Sequence, residues 1–65
     1  LSQNDFIKII RLKNAAPLLR EHRYYVSEVA YLTGFPDVKY FSVAFKKQFG
    51  VTPKKYSSMY VKDEN

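Results

Sequence analysis

The stretch VSEVAYLTGFPDVKYFSVAFKKQFG, residues 26–50, decides the fold of this 65-residue chain. In its first third Val26, Val29, Ala30 and Leu32 recur at three- and four-residue spacing. That spacing predicts a brief helix with these side chains inward and Ser27, Glu28 and Tyr31 further out. Gly34 is the residue type best suited to the left-handed position that ends a helix. Phe35 is placed to fold back onto the core, and Pro36 resists any continuation, so the link is a tight turn. Asp37 opens the next helix, as its cap or in its first turn, where a negative charge is favoured. Phe41, Ala44, Phe45 and Phe49, partly joined by Tyr40, make the apolar stripe of that helix. Lys39, Ser42, Val43 and Lys46 make the opposite stripe, and Gly50 closes the element. A short helix, a tight glycine-containing turn and a longer helix form a helix-turn-helix over 26–50.

Upstream, Phe6, Ile9, Ile10, Leu12, Ala16 and Leu19 repeat with a helix period and leave Lys8, Arg11 and Arg20 for the other face. A helix over 4–22 is expected, with Asn4 or Asp5 as its N-cap. Pro17 has no N–H to offer the carbonyl of Lys13, at a cost of about 3 kcal/mol. The expectation is one helix kinked near Pro17, the alternative an irregular last turn. His22 to Tyr25 form a short connection in which His22 reads as an exposed bystander. Downstream, Thr52-Pro53 reads as a cap followed by proline at the first helical position, opening a C-terminal helix over 52–60. The tail 61–65 is polar and expected to fray. Nothing repeats internally and no strand-like alternation of useful length occurs. The fold class is all-α: a small bundle of three to four helices, homeodomain-like, within a single domain 1–65.

Composition bounds the function. Hydrophobic residues make up 46% and aromatics 17%, enough for one core and more than a disordered tail carries. With no cysteine and one histidine, disulfides and zinc sites are excluded, and no cofactor is expected. No run is long and apolar enough for a membrane span and no signal peptide is seen, so a cytoplasmic location is expected. The chain begins at Leu1, which reads as a piece of a longer protein. Asp5, Glu21 and Glu28 are scattered, and no acid–base pair or nucleophile–base set can be assembled, so an enzyme is not expected. Eleven Lys and Arg against six Asp and Glu give +5, which favours a polyanionic partner, with nucleic acid first and an anionic membrane surface second. The surplus is concentrated. Between Asp37 and Tyr56 there are five lysines (39, 46, 47, 54 and 55) and one acid. Lys46, Lys47, Lys54 and Lys55 are the phosphate candidates, the last two beside a helix start whose free N–H groups also favour phosphate. Tyr40 is a further one, half-buried with its hydroxyl toward a phosphate. Phe35, Phe41, Phe45 and Phe49 are core residues rather than base-stacking platforms.

Residues 28–56, EVAYLTGFPDVKYFSVAFKKQFGVTPKKY, resemble the C-terminal signature of AraC/XylS-type transcription regulators. That signature is met by Val29-Ala30, Gly34-Phe35, Tyr40-Phe41, Phe45-Lys46-Lys47, Phe49-Gly50, Thr52-Pro53 and Tyr56. The preceding Arg11-Leu12 and Ala15-Ala16 are similar to positions in the family's linker helix, and the likeness covers about 55 of the 65 residues. The resemblance implies half of a DNA-binding domain for double-stranded DNA: the linker helix and the second of two helix-turn-helix motifs. The first motif would lie upstream, as would a sensory or receiver domain. It also implies base-proximal positions at Val38, Lys39, Ser42 and Val43, on a helix 37–49 placed in the major groove. Two positions depart from the pattern. Many members carry Arg where Val43 stands, and valine can touch a thymine methyl but cannot hydrogen-bond a base edge. The family also has a good helix former where this chain has Pro17. Exposed Val38 and Val43 leave an alternative open, a protein–protein module that docks on a sensory domain or RNA polymerase.

Overall fold

A computed structural model describes residues 3–60 of the chain, which form α1 (Gln3–Glu21), α2 (Val26–Leu32), α3 (Val38–Phe49) and α4 (Pro53–Ser58). The described residues contain no strand, in keeping with the all-α expectation. The expected frayed tail 61–65 and a cap from the Asn4 side chain lie outside the described residues. Asp5 does not cap α1. It lies inside the first turn, where its charge still complements the helix N-terminus.

The core sits where the four helices meet. Leu12, Ala15 and Leu19 of α1 close on Val29 and Ala30 of α2, on Phe35 of the turn, and on Phe41, Ala44 and Phe45 of α3. The aromatic rings form a ladder: Phe35 and Phe41 centroids are 5.0 Å apart, Phe41 and Phe45 5.7 Å, and Phe45 and Phe49 4.3 Å. Tyr56 of α4 meets Phe45 edge-on at 5.3 Å, so α4 extends the ladder and covers its end.

The punctuation of residues 26–50 is realised in detail. Glu28 accepts from the Tyr25 backbone N–H at 2.9 Å, which stands in for a side-chain cap that tyrosine cannot supply. At the other end of α2 the Gly34 N–H donates to the Tyr31 carbonyl and the Phe35 N–H to the Ala30 carbonyl. This paired closure requires a left-handed residue, and Gly34 has φ +95°. Phe35 is thereby turned inward and buried. Asp37 takes the cap position of α3, its carboxylate accepting from the Tyr40 N–H at 2.7 Å. Asp37→Ala should lower unfolding free energy by about 1 kcal/mol in urea titration. An unchanged midpoint would show that the cap carries no stability. Gly50 ends α3 at φ +85°, and Thr52 caps α4 by accepting from the Lys55 N–H at 3.1 Å, with Pro53 buried behind it.

Three expectations need correction: the burial of Phe6 and Ile10, the burial of Leu32, and the isolation of His22. Phe6 is 60% exposed and Ile10 is exposed as well, although both share the periodic stripe of α1. Ile9 and Leu12 border the groove with α3 instead, and Phe6 and Ile10 stay exposed outside it. Leu32 is 55% exposed, because the turn at Gly34 brings Phe35 into the core at that end of α2 instead. By contrast, α1 runs to Glu21 as one helix through Pro17. Ala15, Ala16 and Leu19 are buried around it, so tertiary packing holds the helix across the missing bond, while exposed Lys13 lets water reach the orphaned carbonyl. His22 is exposed but engaged. It takes a left-handed conformation after α1, its Nε2 meets the Tyr60 carbonyl, and its Nδ1 lies 3.5 Å from the Ser57 hydroxyl. Ser57 donates to the Leu19 carbonyl at 3.1 Å and Arg20 to the Tyr56 hydroxyl at 2.7 Å, so α4 is stitched to the C-terminus of α1. The Tyr60 phenol is pushed above its ordinary pKa, first by its hydrogen bond and charge interaction with Tyr56 and then by burial, while Arg20 opposes the shift.

Candidate nucleic-acid interface

The bundle determines which face of α3 is left free. Phe41, Ala44 and Phe45 turn inward, so residues half a turn away turn out. At about 100° per residue, Lys39, Val43 and Lys46 fall along one outer stripe. Val43 is 63% exposed and both lysines are exposed. Val38 and Ser42 lie on one shoulder of this stripe, Val38 exposed and Ser42 half-buried. Tyr40 and Lys47 lie on the other shoulder, beside α1. The Tyr40 ring stands edge-on to Phe35 at 5.9 Å while the residue remains 46% exposed, so its base is anchored and its hydroxyl end can reach outward.

The structure thus brings together seven of the nine residues singled out from sequence. Val38, Lys39, Tyr40, Ser42, Val43, Lys46 and Lys47 all belong to the one helix and its free face. Lys54 and Lys55 sit apart, exposed in the first turns of α4 where they line a shallow groove with Thr52 and Ser58. Sequence reading placed Arg11 in the linker helix by resemblance but gave neither Lys8 nor Arg11 a part in binding. Both line a groove between α1 and α3, together with Ile7, Phe35 and Tyr40. The signal that could have found Arg11 is Gly34: a methyl group on that glycine would stand 3.1 Å from the Arg11 Nε. The two residues must be read as a pair.

Electrostatically the surface is one-sided. Asp37 is the only acid among residues 37–56, and its carboxylate is already used on a backbone N–H. Five lysine ammonium groups remain on the solvent side of α3 and α4, and none of them joins an ion pair among the described residues. Such a surface suits a polyanion with regularly spaced charges. The described residues hold no cluster of three potential metal ligands, and none of their helices is long and apolar enough to cross a membrane.

Comparison with known proteins gives a consistent picture. A family model described as a helix-turn-helix domain matches residues 1–59. Over 57 residues the chain is 46% identical to "Histidine kinase P4" of Formosa agariphila, covering 88% of this chain and 4% of that protein. It is 36% identical over 56 residues to the uncharacterized HTH-type transcriptional regulator YpdC of Escherichia coli, covering 86% of this chain and 20% of the relative. It is 34% identical over 62 residues to the HTH-type transcriptional activator RhaR of Yersinia pseudotuberculosis, covering 95% and 21%. The chain therefore spans about a fifth of these regulators and a far smaller part of the kinase. No solved structure matches it significantly.

Proposed function

The chain belongs to the AraC-type helix-turn-helix family of transcription regulators, a DNA-binding module, and from that premise we propose how it reads a duplex. Helix α3 enters the major groove, with Val38, Lys39, Ser42 and Val43 at the base edges. Tyr40, Lys46, Lys47, Lys54 and Lys55 contact phosphates on either side. The observation that carries this reading is the free stripe Lys39–Val43–Lys46, which faces solvent opposite the buried Phe41–Phe45 stripe. A single helix matches the width of the major groove. Lys39 and Ser42 supply hydrogen-bonding capacity, and Val43 supplies an apolar contact for a thymine methyl, so base discrimination by this helix is modest.

On this reading α1 is the linker from a first helix-turn-helix upstream, and the two readers together occupy neighbouring major-groove segments. A sensory or receiver part of the same protein controls them in the cytoplasm. The likeness to a protein named as a histidine kinase supports that last step. No enzymatic step is assigned to this module. Docking of the Val38–Val43 face on a sensory domain or RNA polymerase is the less favoured use, because the family is one of DNA-binding regulators.

Titration of a labelled random-sequence duplex pool, read by fluorescence anisotropy across a salt series, tests the proposal. Lys39→Ala combined with Lys46→Ala should weaken binding on the order of tenfold or more. It should also flatten the dependence of log affinity on log salt by about 0.9 for each phosphate that is no longer neutralised. If a protein carrying both motifs binds no duplex at low salt, the reading fails.

A further inference from the structure

The groove between α1 and the start of α3 carries chemistry beyond the recognition helix. It encloses ≈ 280 Å³, with Ile7 and Phe35 as its apolar floor and Lys8, Arg11 and Tyr40 as its polar rim. Lys8 also borders the adjoining groove along the same two helices, where Lys47 and Gln48 of α3 face Asp5 and Ile9 of α1. Lys8, Arg11 and Lys47 therefore make a basic rim along one flank of α3 together with the Tyr40 phenol, with Asp5 the one carboxylate beside Lys8.

Arg11 is held in this position. Its side chain lies across Gly34, where a built Cβ would come within 3.1 Å of Nε and 3.3 Å of Cζ. The turn thus leaves a slot that a guanidinium occupies because the residue at 34 has no side chain. A guanidinium steadied against backbone loses less freedom when it binds an oxyanion, and its planar fork matches phosphate. Lys8 pairs with Asp5 at 3.9 Å, between half-exposed side chains. Surface pairs of that kind contribute little, so the ammonium is available to a stronger anion.

Resting on the reading that α3 lies in the major groove, we infer that Lys8 and Arg11 of α1 bind a DNA backbone phosphate beside the start of α3, together with the Tyr40 hydroxyl. The flank of a helix inserted in the major groove faces one of the two phosphate walls of that groove. The basic rim lies on that flank, and charge complementarity commits it to the phosphodiester backbone. In this arrangement α1 is a clamp as well as a linker. It fixes the angle at which α3 enters the groove while carrying no sequence information of its own.

The test compares wild-type protein with Lys8→Gln, Arg11→Gln and Arg11→Lys on the same random duplex pool and on one defined duplex, over a salt series. A phosphate interaction with a slope of about 0.9 contributes a factor of roughly eight at about 0.1 M salt relative to about 1 M. Each Gln variant should therefore bind roughly eightfold more weakly, by the same factor on both duplexes, with a salt slope lower by about 0.9. Arg11→Lys should recover part of the affinity, since it restores charge without the fork. If wild-type protein binds and the slopes of Lys8→Gln and Arg11→Gln equal its own, the inference is overturned and the α3 reading stands. If wild-type protein itself binds no duplex, both fall together. Should Arg11→Gln lower the melting temperature by disturbing the Gly34 turn, Lys8→Gln decides alone, because its ion-pair partner Asp5 is a surface carboxylate. An unchanged slope there overturns the inference too.

Discussion

Phe45→Ala should leave much of the protein unfolded at room temperature. Phe45 is fully buried where α3 meets α4, with Phe41 at 5.7 Å, Phe49 at 4.3 Å and Tyr56 of α4 at 5.3 Å. Removing its ring eliminates buried apolar area and leaves a cavity that three neighbouring rings cannot fill together. Truncations of this kind cost about 3–5 kcal/mol. A chain of 65 residues has total stability of roughly 3–10 kcal/mol at about 0.05–0.15 kcal/mol per residue. The loss is thus comparable with the whole. Far-ultraviolet circular dichroism should show most of the helical signal gone at 25 °C, or a melting transition too broad and too low to have a folded baseline. Phe49→Ala, half-buried at the rim of the same ladder, should melt lower than wild type but retain a cooperative transition. A Phe45→Ala protein that melts within a few degrees of wild type would mean that the ring ladder is not the centre of the fold.

The parts of this fold that were legible in sequence are those where one residue dictates backbone geometry. Gly34, Asp37, Gly50 and Thr52-Pro53 each fill the role their type suggests, because a left-handed backbone or a free N–H at a helix start is a local requirement. The inward stripe of α3 was also legible, since helix period alone places Phe41, Ala44 and Phe45 on one side. Phe6, Ile10 and Leu32 were not. Periodicity says that apolar side chains share a face, but only the other elements decide whether anything covers it. On α1 it is Ile9 and Leu12 that border α3 while Phe6 and Ile10 stay exposed, and at Leu32 the inward place is taken by Phe35. Likewise His22 looked isolated because its partners, Ser57 and Tyr60, are more than thirty residues away. For the candidate interface, sequence placed the lysines of α3 and α4 but missed the rim from α1. Arg11 meets Gly34 only through the tertiary fold, across 23 positions of chain.

Pro17→Ala should make the protein more stable, against the usual sign of mutations in a helix flanked by core residues. α1 continues through Pro17 although the ring removes one hydrogen bond and crowds the carbonyl four residues earlier. The helix persists because Ala15, Ala16 and Leu19 are buried on either side, so the packing bears a local cost of about 3 kcal/mol. Alanine restores the N–H for the Lys13 carbonyl and has the best helix propensity. Against this, proline restricts the unfolded chain, which returns up to about 1 kcal/mol, and Pro17 itself is partly buried, so its smaller replacement packs less surface. The balance is a gain of roughly 1–2 kcal/mol, or a melting temperature higher by about 4–16 °C for a domain of this size. The same substitution bears on binding. Leu19 accepts from Ser57 and Arg20 reaches Tyr56, so the direction of α1 after Pro17 determines where α4 and its Lys54 and Lys55 lie relative to α3. If the proline bends α1 to seat α4, straightening it should raise stability while lowering DNA affinity, two effects of opposite sign from one residue. If Pro17→Ala melts at or below the wild-type temperature, the helix is built around its proline and the hydrogen bond to Lys13 is not what the fold lacks.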